Sequence, residues 1–188
     1  MRTLLSAADI HREVTRLGDE ISRDYPEGTI TVIGVLTGCV IFLADLIREL
    51  RRPVRIAFVQ ASSYRGSATR PGELTLDLDG LPDIAGAQIL LLDDIFDTGR
   101  TLAALASRLQ QQQPRSIRTA VLLWKTERRE VDLCPDYWAF QIPDEFVVGY
   151  GLDYDGQYRS LRDIVALEPH DLASSPGDGD DAFGPRTS

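Results

Sequence analysis

One short stretch, Gln88 to Leu102, constrains the fold of this chain more than any other. It begins with a run of aliphatic residues, Ile89 to Leu92, which is too short for a helix and is flanked by polar residues. Such a run is typical of a strand buried on both faces, as in a parallel sheet. Two carboxylates, Asp93 and Asp94, follow directly. Because open α/β sheets bind ligands just outside this end of their strands, the acidic pair is predicted to lie at a ligand site.

A turn of hydroxyl residues and glycine separates this strand from a predicted amphipathic helix, which begins at Leu102. Backbone N–H groups in such a turn, together with the positive end of the helix dipole, make an anion site. Gly99 lets the backbone approach a phosphate closely, and Thr98 and Thr101 add hydroxyl donors. The acidic pair would bind sugar hydroxyls or hold Mg²⁺ that bridges to phosphate oxygens. A ligand with a phosphate, a diol and a bound metal satisfies all of these requirements. The alternative interpretation is that the acidic pair forms a solvated turn with no role in binding.

Length and charge narrow the class of protein. A chain of 188 residues suits one domain, and a domain of this size buries roughly 70% of its unfolded surface. The net charge of −9 argues against non-specific nucleic-acid binding and against anionic membrane surfaces. Any anionic substrate must therefore be held by local groups and metal. The longest apolar stretch, Val32 to Ile47, is interrupted by polar residues and falls short of the ~20 residues that a membrane span needs.

The rare residue types also exclude some chemistry. Cys39 and Cys134 lie far apart without metal-ligand spacing, which indicates two free thiols in a reducing cytoplasm. No signal peptide is visible at the N-terminus. His11 falls within a helical pattern and His170 in a polar tail. Histidine triads and zinc sites are therefore not expected.

Strand and helix patterns alternate along the chain, which predicts an α/β fold with a mostly parallel central sheet flanked by helices. One domain is expected over residues 1–167. Besides the central strand and its helix, the predicted helices are 6–25 and 41–50, and the predicted strands are 30–36, 54–60, 116–124, 137–142 and 160–167.

Two regions lack this alternation. Residues 61–82 read as a long irregular loop, which favours a mobile lid over a merely disordered segment. Within it, Leu74, Leu76 and Leu78 alternate with polar residues, as in a solvent-exposed hairpin strand. Residues 168–188 are rich in Pro, Gly, Ser and Asp, and we expect an acidic, disordered tail.

The segment from Leu90 to Leu102, LLLDDIFDTGRTL, resembles the phosphoribosyl-pyrophosphate (PRPP) motif of type I phosphoribosyltransferases. It lacks the Gly-Lys-Ser/Thr ending of a P-loop. The segment from Phe146 to Tyr154, FVVGYGLDY, resembles the purine-binding segment of the hypoxanthine-guanine enzymes. The resemblance to that family covers roughly residues 5–167. Further residues that match it are Leu123, Trp124, Lys125, Ser62, Ser63, Tyr64 and Arg159. The resemblance implies the type I phosphoribosyltransferase fold, with a small hood and a flexible lid loop.

The resemblance also implies a role for each group of residues. PRPP or nucleotide binding is assigned to Asp93, Asp94, Ile95, Asp97, Thr98, Gly99, Arg100, Thr101, Ser63 and Tyr64. Pyrophosphate is assigned to Arg159 and to the main chain of Thr37 and Gly38, with a strained peptide bond before Thr37. Some relatives carry Lys or Arg at this position, so only the backbone role carries over. The ligands implied for Mg²⁺ are Asp93, Asp94 and Asp153, and direct or water-mediated contact of Asp93 stays open.

Purine recognition is assigned by the same resemblance to Lys125, Phe146, Val147 and Asp153. Lys125 would donate to O6 of hypoxanthine or guanine, because a mismatched pair of donors is costly when buried. Phe146 would stack on the purine, and Val147 would bind the ring edge through its backbone. The alternatives are a solvated lysine at a strand end, and core packing for Phe146 and Val147.

Asp97 separates the branches of the superfamily. The 6-oxopurine enzymes carry Asp here, whereas the adenine and orotate enzymes and the PRPP-binding regulator of pyrimidine operons usually lack it. A carboxylate at this position can take up or return the proton on purine N7 while N9 attacks the sugar, so Asp97 is the expected catalytic residue. A simple helix N-cap is the alternative.

These roles imply transfer of a phosphoribosyl group from PRPP to hypoxanthine or guanine, in a cytoplasmic homo-oligomer (dimer or tetramer). Preference among hypoxanthine, guanine and xanthine stays open. Two other classes compete: a PRPP-sensing regulator that contacts RNA, and a receiver-type signalling domain with an Asp-Asp metal site. In the receiver class, the acidic pair should follow the first strand.

Overall fold

The structure, a computed structural model, describes residues 1–63, 74–168 and 171. Its helices are α1 (Ala7–Asp24), α2 (Val40–Glu49) and α3 (Arg100–Gln110), with a 3-10 turn at Thr126–Arg128. Its strands are β1 (Arg2–Leu5), β2 (Ile30–Leu36), β3 (Val54–Ser63), β4 (Leu74–Asp77), β5 (Gln88–Phe96), β6 (Ser116–Trp124), β7 (Tyr137–Gln141), β8 (Val147–Val148) and β9 (Ile164–Ala166).

The main sheet has the order β4-β3-β2-β5-β6-β7. All neighbouring pairs are parallel except β3 with β4, so the predicted mostly parallel sheet is confirmed. From β2 the chain moves outward to β3, and from β5 it moves outward the other way to β6 and β7. The boundary between β2 and β5 is therefore a topological switch point, where open sheets leave a crevice for ligands.

Helices cover both faces of this sheet, as predicted. Side chains alternate along β5, so Leu90 and Leu92 join the core under α1 and α2, while Ile89 and Leu91 join the core under α3. All four side chains are fully buried. The aliphatic run of β5 thus fills two cores at once, which explains why it shows no alternation with polar residues.

A second, smaller sheet has the order β1-β9-β8 and is antiparallel. The sequence patterns did not predict β1, because only Leu4 and Leu5 supply an apolar pair there. The predicted strand at 160–167 was wrong in its first half. That half forms turns. Its backbone makes hydrogen bonds with a loop instead of a strand; for example, Tyr150 N donates to Leu161 O at 2.8 Å.

The region predicted as an irregular lid, residues 61–82, is partly strand. β3 continues through Ser63 and pairs antiparallel with β4, which confirms the hairpin strand. The strand is not wholly solvent-exposed, because Leu76 and Leu78 pack against the α3 core. Residues 64–73 of the predicted lid lie outside the described residues, so closure of the lid over 61–82 stays a prediction.

Three remaining predictions concern the C-terminal tail, membrane spans and the two cysteines. Most of the predicted disordered tail, residues 168–188, lies outside it. In the part that the structure describes, no helix is long and apolar enough to cross a membrane. Cys39 is buried and Cys134 is exposed, and both are free thiols.

Candidate active site

A cavity of about 410 Å³ lies at the switch point, where the carboxyl ends of β2 and β5 meet. The predicted site residues that line it are Thr37, Gly38, Asp93, Asp94, Ile95, Asp97, Thr98, Gly99, Thr101, Asp153 and Arg159. The sequence analysis missed the apolar part of the lining, which is Val35, Leu36, Ala61, Phe96, Leu102 and Leu152. Most of these residues flank predicted site residues in the sequence, and that adjacency was the signal available for them.

The turn before α3 has the form of an anion site. Gly99 is at the helix N-cap with φ +81°, and any side chain there would collide with the ring of Phe96. Glycine is therefore required where the chain enters the helix. Arg100, a predicted ligand-binding residue, does not line the cavity, and its guanidinium group pairs with Glu130 at 2.5 Å.

Asp93 and Asp94 line the cavity, Asp93 as a buried residue and Asp94 as a half-buried one. Asp93 is only 8% exposed, and its Oδ1 accepts a hydrogen bond from Asp94 N at 3.0 Å. Two effects raise the pKa of Asp93 well above its usual range: burial is the larger, and the negative charge of Asp94 is the second. Burial also raises the pKa of Asp94. The alternative of a solvated acidic turn is thus contradicted, and the pair needs hydroxyl donors or a cation to be satisfied when ionised.

The loop after β2 lies directly against this acidic pair. The peptide bond between Leu36 and Thr37 is cis. A Cβ atom added to Gly38 would overlap Asp94 Oδ2, and one added to Gly151 would overlap the carbonyl oxygen of Gly38. Three segments therefore meet at van der Waals contact, and two of them depend on glycine to do so.

Arg159 and Asp153 form an ion pair in the cavity wall, with Nη2 2.8 Å from Oδ1. Asp153 Oδ2 also accepts from Gly156 N at 2.9 Å, and Arg159 Nη1 donates to Gly151 O at 2.6 Å. Asp153 is thus already neutralised. Among the described residues, no three Asp, Glu, His or Cys side chains form a group that could hold a metal. The expected ligand set of Asp93, Asp94 and Asp153, with Asp153 acting directly or through water, therefore stays a prediction.

Lys125 is buried beside the cavity rather than solvated. It is 7% exposed, and its backbone N donates to Phe96 O, at the cavity wall, over 2.9 Å. Its Nζ lies 3.2 Å from Asp144 Oδ1. The alternative of a solvated lysine at a strand end is therefore wrong. Asp144 itself was not predicted, because it sits in an ordinary loop sequence without a motif.

Phe146 and Val147 differ in exposure. Phe146 is 46% exposed, and its ring packs edge-on against Tyr154 with 5.5 Å between centroids. The side chain of Val147 is buried in the core, so only its backbone is suited to bind a ligand. Neither residue lines the cavity described above, and their predicted contacts with a purine stay predictions.

Asp97 lies on the cavity wall between β5 and α3. It is not the helix cap, because Gly99 holds that position and no side chain caps the helix. Asp97 Oδ1 is 2.8 Å from Arg128 Nε, but it is enclosed and accepts no hydrogen bond from any residue described. An acceptor of this kind is available to a ligand N–H. Of the two predicted lid residues, Ser63 is described only as part of β3, and Tyr64 is outside the described ranges.

The family described as "Phosphoribosyl transferase domain" matches residues 2–155. A hypoxanthine-guanine phosphoribosyltransferase of Aquifex aeolicus is 41% identical over 169 residues, which is 89% of this chain and 95% of that protein. The chain belongs to the hypoxanthine-guanine phosphoribosyltransferase family.

Other members of the family agree in sequence and in structure. A hypoxanthine phosphoribosyltransferase of Haemophilus influenzae is 41% identical and covers 88% of this chain and 95% of its own length. A crystal structure of the hypoxanthine-guanine enzyme of Bacillus anthracis has a TM-score of 0.83 and 39% identity, covering 89% of this chain and 98% of that one. The Trypanosoma cruzi hypoxanthine enzyme with its product IMP has a TM-score of 0.83 and 37% identity, covering 90% and 95%.

Gly38 provides a test of the packing in this phosphoribosyltransferase. We expect Gly38→Ala to push Asp94 out of place and to lower phosphoribosyl transfer by about a hundredfold, since small misplacements in a site have effects of this size. Steady-state kinetics would measure it. The control is Ser107→Ala, at an exposed position of α3 that does not line the cavity. Equal activity of the two variants would contradict the packing argument.

Asp93 provides a test of the electrostatics. A carboxyl group whose pKa is raised by folding opposes folding once it is ionised. The unfavourable contribution is absent below the ordinary pKa of 3.8 and grows as the pH rises towards the folded-state pKa. We therefore expect Asp93→Asn to raise the free energy of unfolding of the ligand-free protein by about 1 kcal/mol or more at neutral pH.

Urea denaturation with a metal chelator present, at neutral pH and in the acidic carboxyl range, would measure this effect of Asp93→Asn. The gain should shrink at the lower pH. Asp155→Asn, at an exposed turn, is the control and should show no gain. A destabilised Asp93→Asn protein at neutral pH would refute the electrostatic argument.

Proposed function

We propose that this protein transfers the 5-phosphoribosyl group of PRPP to N9 of hypoxanthine or guanine, giving IMP or GMP and pyrophosphate. One observation carries the proposal. A single cavity at the switch point is lined by the turn before α3, the Asp93–Asp94 pair, the loop at Thr37 and Gly38, and Asp97, whose Oδ1 accepts no hydrogen bond from the described residues although Arg128 lies beside it. The relatives named for this activity, and the Trypanosoma cruzi relative with IMP, support it.

PRPP would be held at both of its charged ends. The turn from Thr98 to Thr101 binds the 5′-phosphate through backbone N–H groups and hydroxyls at the start of α3. Asp93 and Asp94 accept hydrogen bonds from the ribose hydroxyls. Arg159 and the main chain of Thr37 and Gly38 bind the pyrophosphate.

Mg²⁺ fits this donor set only in part. Asp93 and Asp94 offer the carboxylate oxygens that the ion prefers, and their burial favours a nearby positive charge. Because no complete ligand group is assembled among the described residues, PRPP itself would supply further oxygens. When bound, Mg²⁺ supplies positive charge that stabilises the leaving pyrophosphate.

The base would be recognised beside the cavity, next to Lys125. This lysine donates to O6, which favours a 6-oxopurine over adenine, since two opposed donors cannot pair. Phe146 stacks on the ring, Val147 binds its edge through the backbone, and Asp153 lies nearby. Asp97 takes up or returns the N7 proton as N9 attacks the anomeric carbon.

Water must be kept from the sugar while its anomeric carbon carries positive charge. We propose that the segment 61–82, with Ser63 and Tyr64, closes over the cavity for this purpose. Two observations support this: Ala61, in β3, is part of the cavity lining, and β3 pairs with β4 on the other side of residues 64–73 in the chain.

We further propose a cytoplasmic homo-oligomer, a dimer or a tetramer. Apolar side chains on α2 and β3 are unusually exposed, with Val40 at 39%, Ile41 at 38%, Ile56 at 46% and Phe58 at 38%. Burying such side chains against a second copy would remove them from water. Light scattering that finds only a monomer at micromolar concentration would contradict this part of the proposal.

The activity is tested by incubating the protein with PRPP, Mg²⁺ and each of hypoxanthine, guanine, xanthine and adenine. We expect IMP and GMP, with no AMP. No nucleotide from any 6-oxopurine would overturn the proposal. PRPP binding without catalysis would instead favour the PRPP-sensing regulator. The receiver class is already disfavoured, because the acidic pair lies near the carboxyl end of β5, in the middle of the chain, and not after the first strand.

Asp97→Asn tests the proposed role of the Asp97 carboxylate in proton transfer. We expect turnover to fall by about a hundredfold or more, because the proton on N7 loses its acceptor. The affinity for PRPP, measured by calorimetry, should change little. Asp155→Asn removes a carboxylate from an exposed turn and is the control. Turnover like that of the unmodified protein would remove Asp97 from the catalytic role.

A further inference from the structure

Lys125 has one charged partner among the described residues, and it comes from a different part of the chain. The lysine follows β6, and Asp144 lies in the connection between β7 and β8. Nζ is 3.2 Å from Asp144 Oδ1, and the lysine side chain is 9% exposed against 43% for the aspartate. A buried ammonium group is costly without a counter-charge, and this carboxylate provides it from the solvent side.

The same carboxylate also holds Arg128. Arg128 Nη1 lies 3.3 Å from Asp144 Oδ1 and 3.4 Å from Oδ2. The other edge of the guanidinium reaches Asp97, with Nε 2.8 Å from Oδ1. A continuous series of ion pairs thus runs from Lys125 through Asp144 and Arg128 to Asp97. The two ends of the series are the residues assigned to base recognition and to the N7 proton.

The backbone fixes the position of Asp144. The residues before and after it are tied down, because Ile142 N donates to Trp124 O at 3.0 Å and Glu145 N donates to Pro143 O at 2.8 Å. Phe146, the proposed stacking residue, follows two positions later. The carboxylate therefore belongs to a segment whose place is set by β6, and it can orient Lys125 without touching a ligand.

We propose that Asp144 is a positioning residue of the base pocket. It holds the Lys125 ammonium group in the orientation that meets O6, and through Arg128 it links this group to Asp97. The inference rests on the proposed function, because it names a further specificity-determining residue for the same site. An ammonium group has three donors, so the one engaged by Asp144 leaves others for the base.

The pairing predicts a selective defect. Without Asp144, the flexible lysine stem loses its anchor, and O6 loses an oriented, charge-assisted donor. Asp144 does not line the cavity that contains the residues assigned to the phosphates of PRPP. We therefore expect Asp144→Ala to raise KM for hypoxanthine and for guanine by about tenfold, with KM for PRPP unchanged.

Steady-state kinetics on Asp144→Ala, Asp144→Asn and Asp144→Glu would test this. Asp144→Glu should recover part of the base affinity, because it keeps the charge. The matched control is Glu127→Gln, which removes a carboxylate from the exposed 3-10 turn and should leave both KM values unchanged. If Asp144→Ala does not fold, as judged by circular dichroism, the near-isosteric Asp144→Asn carries the test.

A double-mutant cycle with Lys125→Met decides whether Asp144 acts through the lysine. If it does, adding Asp144→Ala to Lys125→Met produces no further rise in KM for the base. Full additivity would overturn the inference, and so would equal rises in both KM values or an unchanged KM for the base in Asp144→Ala. Wild-type transfer with an unaffected Asp144→Ala variant overturns this inference alone, whereas absence of wild-type transfer overturns the proposed function as well.

Discussion

The parallel pairing of β2 with β5 is the constraint on which the rest of the molecule depends. The register places Gly34 opposite Leu92, so both strands deliver their following residues to one edge of the sheet. The chain departs from these strands in opposite directions, and a cavity remains between the two loops. Two glycines, Gly38 and Gly151, then let three segments close around the acidic pair. The order of the strands creates the cavity, and the side chains then determine its chemistry.

The acidic pair gives this cavity its chemical character at the expense of folding stability. Burial raises the pKa of both Asp93 and Asp94, so each ionised carboxylate opposes folding in the ligand-free protein. Hydrophobic burial on both faces of β5 offsets that penalty, since its aliphatic side chains are fully enclosed. A sugar diol or a cation removes the penalty on binding. Ligand binding is therefore favoured by the same electrostatic free energy that destabilises the ligand-free folded protein.

The base side of the site is organised by ion pairs across loops. Lys125 and Asp97 follow different strands, and Arg128 and Asp144 connect them. Exposed ion pairs contribute little to stability, but this series has one nearly buried end, at Lys125. Its value lies in orientation, because a long flexible side chain needs a fixed partner to present a donor in one direction.

The sequence by itself determined the parallel sheet, the helices on its two faces and the glycine turn before α3. Period-2 and helical patterns are local, and Gly99 and the acidic pair are adjacent in the chain. It also identified Lys125 and Asp97 by resemblance. Only the tertiary structure decided that Arg100 turns away, that Asp153 pairs with Arg159 rather than joining the acidic pair, and that Asp144 holds Lys125. These outcomes depend on which loops meet at the sheet edge, and no local pattern encodes the distance between two loops.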